Sequence, residues 1–355
     1  MTPTRILLTG AAGFIGSHVH TLLSSRGHDV VAVDALLPSA HGTESEEPES
    51  VRRVDVRDLT TLKELLSGVD VVCHQAAVVG AGVNPSDAPA YASHNDLGNA
   101  TVLAAMHETG CHRLVLASSM VVYGDGRYRN ARGETVLPAP RRPEDLAAGN
   151  FDTTDPASGE ALDWELVEED SPLRPRSLYA ASKVAQENYA LAWSLATGGS
   201  VTALRYHNVY GEHMPRGTPY SGVAAMFRSS LEAGEPPRVF EDGRQMRDFV
   251  HVHDVASANV AAIEAALTGF SVFNVCSGRP ISIGEVAATL AQACEGPEPV
   301  VTGEYRPGDV RHIVASPELA GEVLGFRAQI PPETGLAAFA HAPLRSATPA
   351  GPPRV

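Results

Sequence analysis

The sequence predicts a doubly wound parallel α/β sheet with a smaller mixed α/β lobe attached. Short apolar runs recur through the first 120 residues: Arg5–Thr9 (RILLT), Asp29–Asp34 (DVVAVD), Val69–His74 (VDVVCH) and Arg113–Ser118 (RLVLAS). Helix-patterned stretches at Gly16–Arg26, Lys63–Leu66 and Ala100–Thr109 separate them. The runs are continuously apolar, as in strands covered on both faces, and right-handed crossovers between them give the doubly wound order.

Taken in order, the first strand runs into Gly10-Ala11-Ala12-Gly13-Phe14-Ile15-Gly16, a GxxGxxG turn that opens the first helix. Its glycines allow a tight turn. The backbone N–H groups through Phe14 and Ile15 can then approach a pyrophosphate at the helix N-terminus, which makes the unit Rossmann-type. The second strand ends at Asp34, where a carboxylate accepts hydrogen bonds from adenosine ribose hydroxyls and repels a 2′-phosphate. The span Ala35–Ser50 is read as offering no basic residue to neutralise such a phosphate, so NAD is expected over NADP. Asp55 and Val56 follow the third short strand and either border the adenine or form a plain turn.

Three stretches break the rhythm. His41–Ser50 is a polar loop whose acidic run Glu44–Glu49 reads as solvated. Residues 125–178 form a long insertion rich in Pro, Gly and charge, and the Pro/Ala-rich tail from His341 is expected to be disordered. The expected division is a cofactor domain at 1–203, a substrate lobe at 204–340 and a tail at 341–355, with residues 247–268 returning to the first domain.

Composition excludes several classes. With 27 Lys and Arg against 42 Asp and Glu, the net charge of −15 argues against a nucleic-acid polymer as partner. The four cysteines, Cys73, Cys111, Cys276 and Cys294, have neither zinc-ribbon nor disulfide-framework spacing. No apolar run reaches the roughly 18 residues of a membrane span, and Ile6–Thr9 is too short for a signal peptide. The expectation is a soluble cytoplasmic protein with reduced thiols.

The chemistry points to Tyr179-Ala180-Ala181-Ser182-Lys183, a YxxxK pair that shares one helix face. A lysine ammonium there lowers the phenol pKa and grips a ribose, since a tyrosine at about 10 is a poor base at neutral pH. Ser118 and Ser119 end a strand at the carboxyl edge of the sheet and supply a hydroxyl donor.

The chain resembles the extended short-chain dehydrogenase/reductases of the NAD-dependent epimerase/dehydratase family over about residues 4–340. Besides the turn and YxxxK, the matching stretches are His74–Ala77, Asn95, Ser118–Gly124, Leu204–Gly211, Arg247–Val255, Asn274–Gly278 and Arg306–Asp309. The resemblance implies bound NAD touched by Gln75, Ala76, Ala77 and Asn95 as well as the residues above. It implies Ser119 rather than Ser118 as the catalytic hydroxyl, beside Tyr179 and Lys183. It also implies a nucleotide-diphosphate sugar, dTDP- or UDP-linked, held by Asn208, Arg247, Arg306 and Asp309, with its base near Val239 and Phe240. Arg247 could otherwise pair with Asp248 or Asp254, Arg306 could cap a loop, and Phe240 could be core. Helices Asn95–Thr109 and Tyr179–Ala196 resemble those that pair family members into homodimers.

Sugar-nucleotide dehydratases carry an acid and a base where this chain has Met120 and Val121, which can be neither. An epimerase working by transient oxidation at C4 with tightly held NAD is therefore expected. A reductase or dehydrogenase exchanging NAD(H), a UDP-hexose or UDP-uronate 4-epimerase, and an idle NAD-binding subunit are the alternatives. Gly124–Arg129, Leu173–Pro175, Pro219–Ala224 and Val239–Gln245 resemble the dTDP-L-rhamnose 4-epimerase subgroup. That subgroup often has cysteine pairs in the insertion; Asn130–Glu134 and Thr153–Glu160 stand there instead, and no metal is expected. His251 and His253 lack a third ligand at suitable spacing. His74 and His207 read as local or core histidines.

Overall fold

Ile6, Leu7 and Leu8 are completely buried, yet alternate residues face opposite sides of one sheet. Ile6 and Leu8 join Val115, Leu204 and Phe273 against the helix Phe14–Ser25 and residues 252–265. Leu7 and Val33 join Leu62, Val102, Met106 and Trp193 on the other side. This two-sided burial is what the continuously apolar runs require.

The computed structural model describes residues 3–41, 48–80, 84–216, 222–306 and 308–345. Its seven-stranded sheet runs Phe270–Val275, Ser200–Tyr206, Arg113–Ser119, Val71–His74, Arg5–Thr9, Asp29–Asp34, Arg52–Arg53, and every pairing is parallel. Strand order reverses between Arg5–Thr9 and Val71–His74, so a crevice opens beyond their carboxyl ends.

The second lobe has its own core around Tyr210, Phe227, Phe249, Leu290 and Phe339. It contains a mixed sheet of Asn208–Tyr210, Met246–His251 and Pro280–Ser282, and a short pair of Arg238–Val239 with Val300–Val301. The chain returns to the large sheet later than expected. Met246–His251 still belongs to the lobe, while the helix Val252–Ala265 and the strand Phe270–Val275 pack with the large sheet. The tail also orders further than expected: Ala342 and Leu344 pack on the lobe core and the Arg345 N–H donates to the Met214 carbonyl at 3.1 Å. Residues 346–355 lie outside the described residues, as do most of the acidic loop (42–47) and the segment 217–221.

The insertion folds as an antiparallel sheet of Arg127–Arg129, Thr135–Val136 and Asp163–Glu165. Two of its turns, Asn130–Glu134 and Thr153–Glu160, lie side by side. The Asn130 amide joins them by donating to Glu134 Oε2 at 2.9 Å and Asp155 Oδ2 at 3.4 Å. Val167 bridges to Ala315, which seats the insertion on the second lobe.

Candidate active site

The crevice is lined by Gly10, Gly13, Asp34, Asp55, Val56, Gln75, Ala76 and Ala77, with His41, Val78 and His94. Gly10 has φ +69°, and a Cβ there would lie 2.6 Å from the Ala76 nitrogen. A Cβ on Gly16 would lie 1.9 Å from the Gly10 carbonyl oxygen. The helix Phe14–Ser25 starts at Gly13 with no side-chain cap and no acidic residue in its first turn. Its N–H groups and positive dipole end are thus free to meet an anion. The Phe14 and Ile15 side chains pack into the lobe core and the sheet core, so only their backbones can serve a ligand. Gly10→Ala is expected to cost about 1–3 kcal/mol in stability from strain and to lower NAD affinity at least tenfold, read by thermal unfolding and NAD titration.

Asp34 accepts from the Ala12 N–H at Oδ2 (3.1 Å) and from the Leu36 N–H at Oδ1 (2.8 Å), and His41 Nε2 lies 3.4 Å from Oδ1. Burial alone would raise its pKa, but His41 and these N–H groups hold the carboxyl below its ordinary value. It therefore faces the crevice ionised. Contrary to expectation, the span after Asp34 does contain a basic side chain at this position, His41. Asp55 is clamped by Arg57 through contacts of 2.7–3.1 Å. Asn95 is fully buried and exchanges both bonds with the Val78 backbone (2.8 and 2.9 Å) while donating to Ser182 Oγ at 2.9 Å. It braces the crevice wall and does not face it, contrary to expectation. The uncapped helix end, the Cβ-free turn and the ionised Asp34 fit NAD, with the pyrophosphate at Gly10–Ile15 and the adenosine ribose at Asp34.

Ser119 and Tyr179 meet at the edge of the sheet. Ser119 caps the short turn Met120–Tyr123, its Oγ accepting from the Val121 N–H at 3.4 Å. Its hydroxyl lies beside the Tyr179 phenol, within reach of the phenolic oxygen. Ser118 points elsewhere and donates to Glu187 Oε1. Glu187 and Arg205 form a buried fork, with contacts of 2.9 and 2.7 Å, behind the catalytic edge. Lys183 donates to the Ala117 carbonyl at 2.9 Å, and its Nζ lies 5.9 Å from the Tyr179 ring centre. Burial lowers the Lys183 ammonium to about 8, opposed by Glu187 and Asp96. Burial pushes the Tyr179 phenol above its ordinary value; the Ser119 hydrogen bond opposes this. Lys183 Nζ is thus turned to the strand backbone yet stays 5.9 Å from the Tyr179 ring centre, where its positive charge favours the phenolate.

On the substrate side, Arg247 donates to the carbonyls of Met246 (2.8 Å), Arg311 (2.9 Å) and Val310 (2.7 Å). Asp248 and Asp254 do not pair with it; they accept from the N–H groups of Ser277 and Gly278, and of Gln329 and Ile330. Three backbone bonds fix the guanidinium and leave two N–H donors for a ligand. Arg306 stacks over Phe240 at 5.0 Å, and Asp309 feels both Arg306 and Arg247. Asn208 Oδ1 is buried with no partner among the described residues. Val239 is fully buried in the lobe core and its carbonyl accepts from Thr302, so its side chain cannot touch a base.

Residues 6–145 and 154–276 match the NAD dependent epimerase/dehydratase family. The chain belongs to that family. It is 33% identical to the dTDP-L-rhamnose 4-epimerase of Burkholderia thailandensis over 94% of this chain and 93% of that one. It is 31% identical to the UDP-glucose 4-epimerase of Mycolicibacterium smegmatis over 94% and 96%. Among solved structures, the Thermus thermophilus UDP-glucose 4-epimerase in complex with NAD aligns with a TM-score of 0.73 and 30% identity over 95% and 98% of the two chains. This NAD-dependent epimerase/dehydratase is therefore an enzyme of nucleotide-sugar chemistry.

Two groups near the substrate side of this epimerase/dehydratase had no local signal. Arg141, from the insertion, pairs with Glu241 at 2.8 Å and donates to the Asp309 carbonyl at 2.6 Å. Arg311 joins Glu241, Asp242 and Asp152 at 2.6–2.9 Å. These partners lie tens to more than 150 residues apart, so no spacing rule reveals them. Among the described residues, no helix is long and apolar enough to cross a membrane.

Proposed function

We propose that this enzyme is a nucleotide-sugar 4-epimerase whose substrate is dTDP-L-rhamnose or a close analogue. The carrying observation is the Ser119–Tyr179 pair followed by Met120 and Val121, which offer no acid or base for elimination. Tyr179, as phenolate, takes the proton of the sugar 4-hydroxyl. Ser119 donates to that oxygen throughout the transfer. NAD held by the Gly10–Ile15 turn and Asp34 would supply the acceptor, and then the donor, of the C4 hydride. Lys183 ties the Tyr179 helix to the Ala117 carbonyl beside the ribose position. Arg247 and Arg306 hold the diphosphate while the 4-keto sugar turns to present its other face, and Tyr179 then gives the proton back to the 4-oxygen. Remote binding energy thus retains a reactive intermediate.

The 33% identity to a dTDP-L-rhamnose 4-epimerase supports the sugar, and the 31% identity to a UDP-glucose 4-epimerase makes UDP-glucose the competing substrate. NMR of dTDP-L-rhamnose, UDP-glucose, UDP-N-acetylglucosamine and UDP-glucuronate, each with enzyme and no added NAD(H), separates them. The 4-epimer of dTDP-L-rhamnose is expected. Conversion only of a UDP-sugar, or only after NAD(H) is added, would reassign the substrate or the reaction.

We further infer a homodimer through the helices Gly98–Thr109 and Leu178–Thr197. Leu191 and Leu195, one turn apart on the second of these helices, are 37% and 79% exposed. Isolated apolar residues are common on surfaces, but these two share one helix face. Leu195→Glu is expected to shift the enzyme from dimer to monomer in sedimentation velocity; an unchanged dimer would place the contact elsewhere.

A further inference from the structure

His251 and His253 have no third ligand nearby in sequence, but the fold brings two more donors to them. His18 sits in the second turn of the helix that carries the cofactor turn, and Glu212 follows the strand Asn208–Tyr210. Ligating atoms of His18, Glu212 and His253 all lie within 4.8 Å of one another. His253 Nε2 is 2.5 Å from Glu212 Oε1, and His18 Nε2 is 3.1 Å from the Glu212 carbonyl oxygen.

We propose that His18, Glu212 and His253 bind one divalent first-row transition ion of the Zn²⁺ type. Two imidazoles and one carboxylate with an open fourth position are a donor set that suits zinc; Mg²⁺ and Ca²⁺ prefer oxygen ligands. Ligand atoms of a tetrahedral site with bonds of about 2.0–2.2 Å lie roughly 3.4 Å apart, so movements of roughly 1 Å close the cluster. His253 can make them, being 55% exposed.

The surroundings are arranged for it. The His251 Nδ1 accepts from the His253 N–H at 3.3 Å, which leaves its proton on Nε2, facing Glu212 Oε2 at 3.6 Å. That is the outer support a ligating carboxylate needs. The ion would fasten the cofactor helix to the two segments that cross between the lobes, after Tyr210 and after His251.

The test is titration of chelator-treated enzyme with Zn²⁺ by calorimetry, with Co²⁺ as the spectroscopic probe. One Zn²⁺ per chain is expected, and at a hundredfold excess over Kd a rise in thermal midpoint of roughly 3–6 °C. Co²⁺ should give visible ligand-field bands without a thiolate charge-transfer band. His253→Ala and Glu212→Gln should each weaken Zn²⁺ binding at least tenfold and leave turnover in metal-free buffer within twofold. Circular dichroism confirms that the variants fold. Absence of stoichiometric binding, binding unchanged in both variants, or a thiolate band would overturn the proposal. Turnover is read separately, so failure here leaves the 4-epimerase reading standing.

Discussion

Tyr179→Phe is expected to lower kcat by roughly 10³-fold or more while NAD content and thermal midpoint stay near those of the parent enzyme. The phenol is the ionisable group that lies beside both Ser119 and Lys183. Ser119, with a hydroxyl of far higher pKa, cannot replace it as a base. The ring remains next to Tyr91, 6.0 Å between centres, so packing is kept. Ser119→Ala should act in the same direction more mildly, because it removes the group that pulls the phenol pKa down. Its rate should then rise with pH over a higher range than that of the parent. A Tyr179→Phe enzyme with more than a tenth of parental kcat would remove Tyr179 from the proton transfer.

The second large effect concerns the pair behind the catalytic edge. Arg205→Met is expected to destabilise the fold by about 3–5 kcal/mol, measured by urea unfolding. Glu187 and Arg205 are both nearly inaccessible to solvent. Removing the arginine leaves a buried carboxylate with only Ser118 as donor, and takes away bonds to the Tyr123 hydroxyl and the Glu169 carbonyl, each 2.9 Å. The double variant Arg205→Met/Glu187→Leu should recover much of the loss, since no uncompensated charge remains. Glu187 also supports the charge on Lys183, whose ammonium sits at about 8. Without Glu187, Lys183 should lose its proton at lower pH, and the alkaline fall in NAD affinity should move down with it. A single Arg205 variant within 1 kcal/mol of the parent would contradict this account.

Much of the cofactor half was legible because its signals are local. A strand, a GxxGxxG turn and a helix occupy about twenty residues, and Asp34 is placed by the end of its own strand. YxxxK is legible for the same reason, being one helical turn. What the sequence could not show depends on distant partners. Asn95 looked like a cofactor contact, but its donors and acceptors meet Val78 and Ser182. Val239 looked like a base contact, but the strand Val300–Val301 encloses it. Lys183 has the right spacing to Tyr179, yet its direction is set by Ala117, 66 residues away. The tail looked disordered from composition, but Leu344 finds the lobe core. The insertion reads as a loop because its anchors, Arg141 and Val167, meet residues near 241 and 309–315.

The central claim is that one hydride leaves C4 and returns to C4 within a single binding event. The direct measurement is turnover of dTDP-L-rhamnose deuterated at C4, in water containing added unlabelled NADH, followed by NMR. Retention of the deuteron at C4 of the product epimer is predicted, because the hydride never leaves the bound cofactor. Loss of the deuteron to the NAD(H) pool, or its exchange with solvent, would contradict transient oxidation with retained NAD.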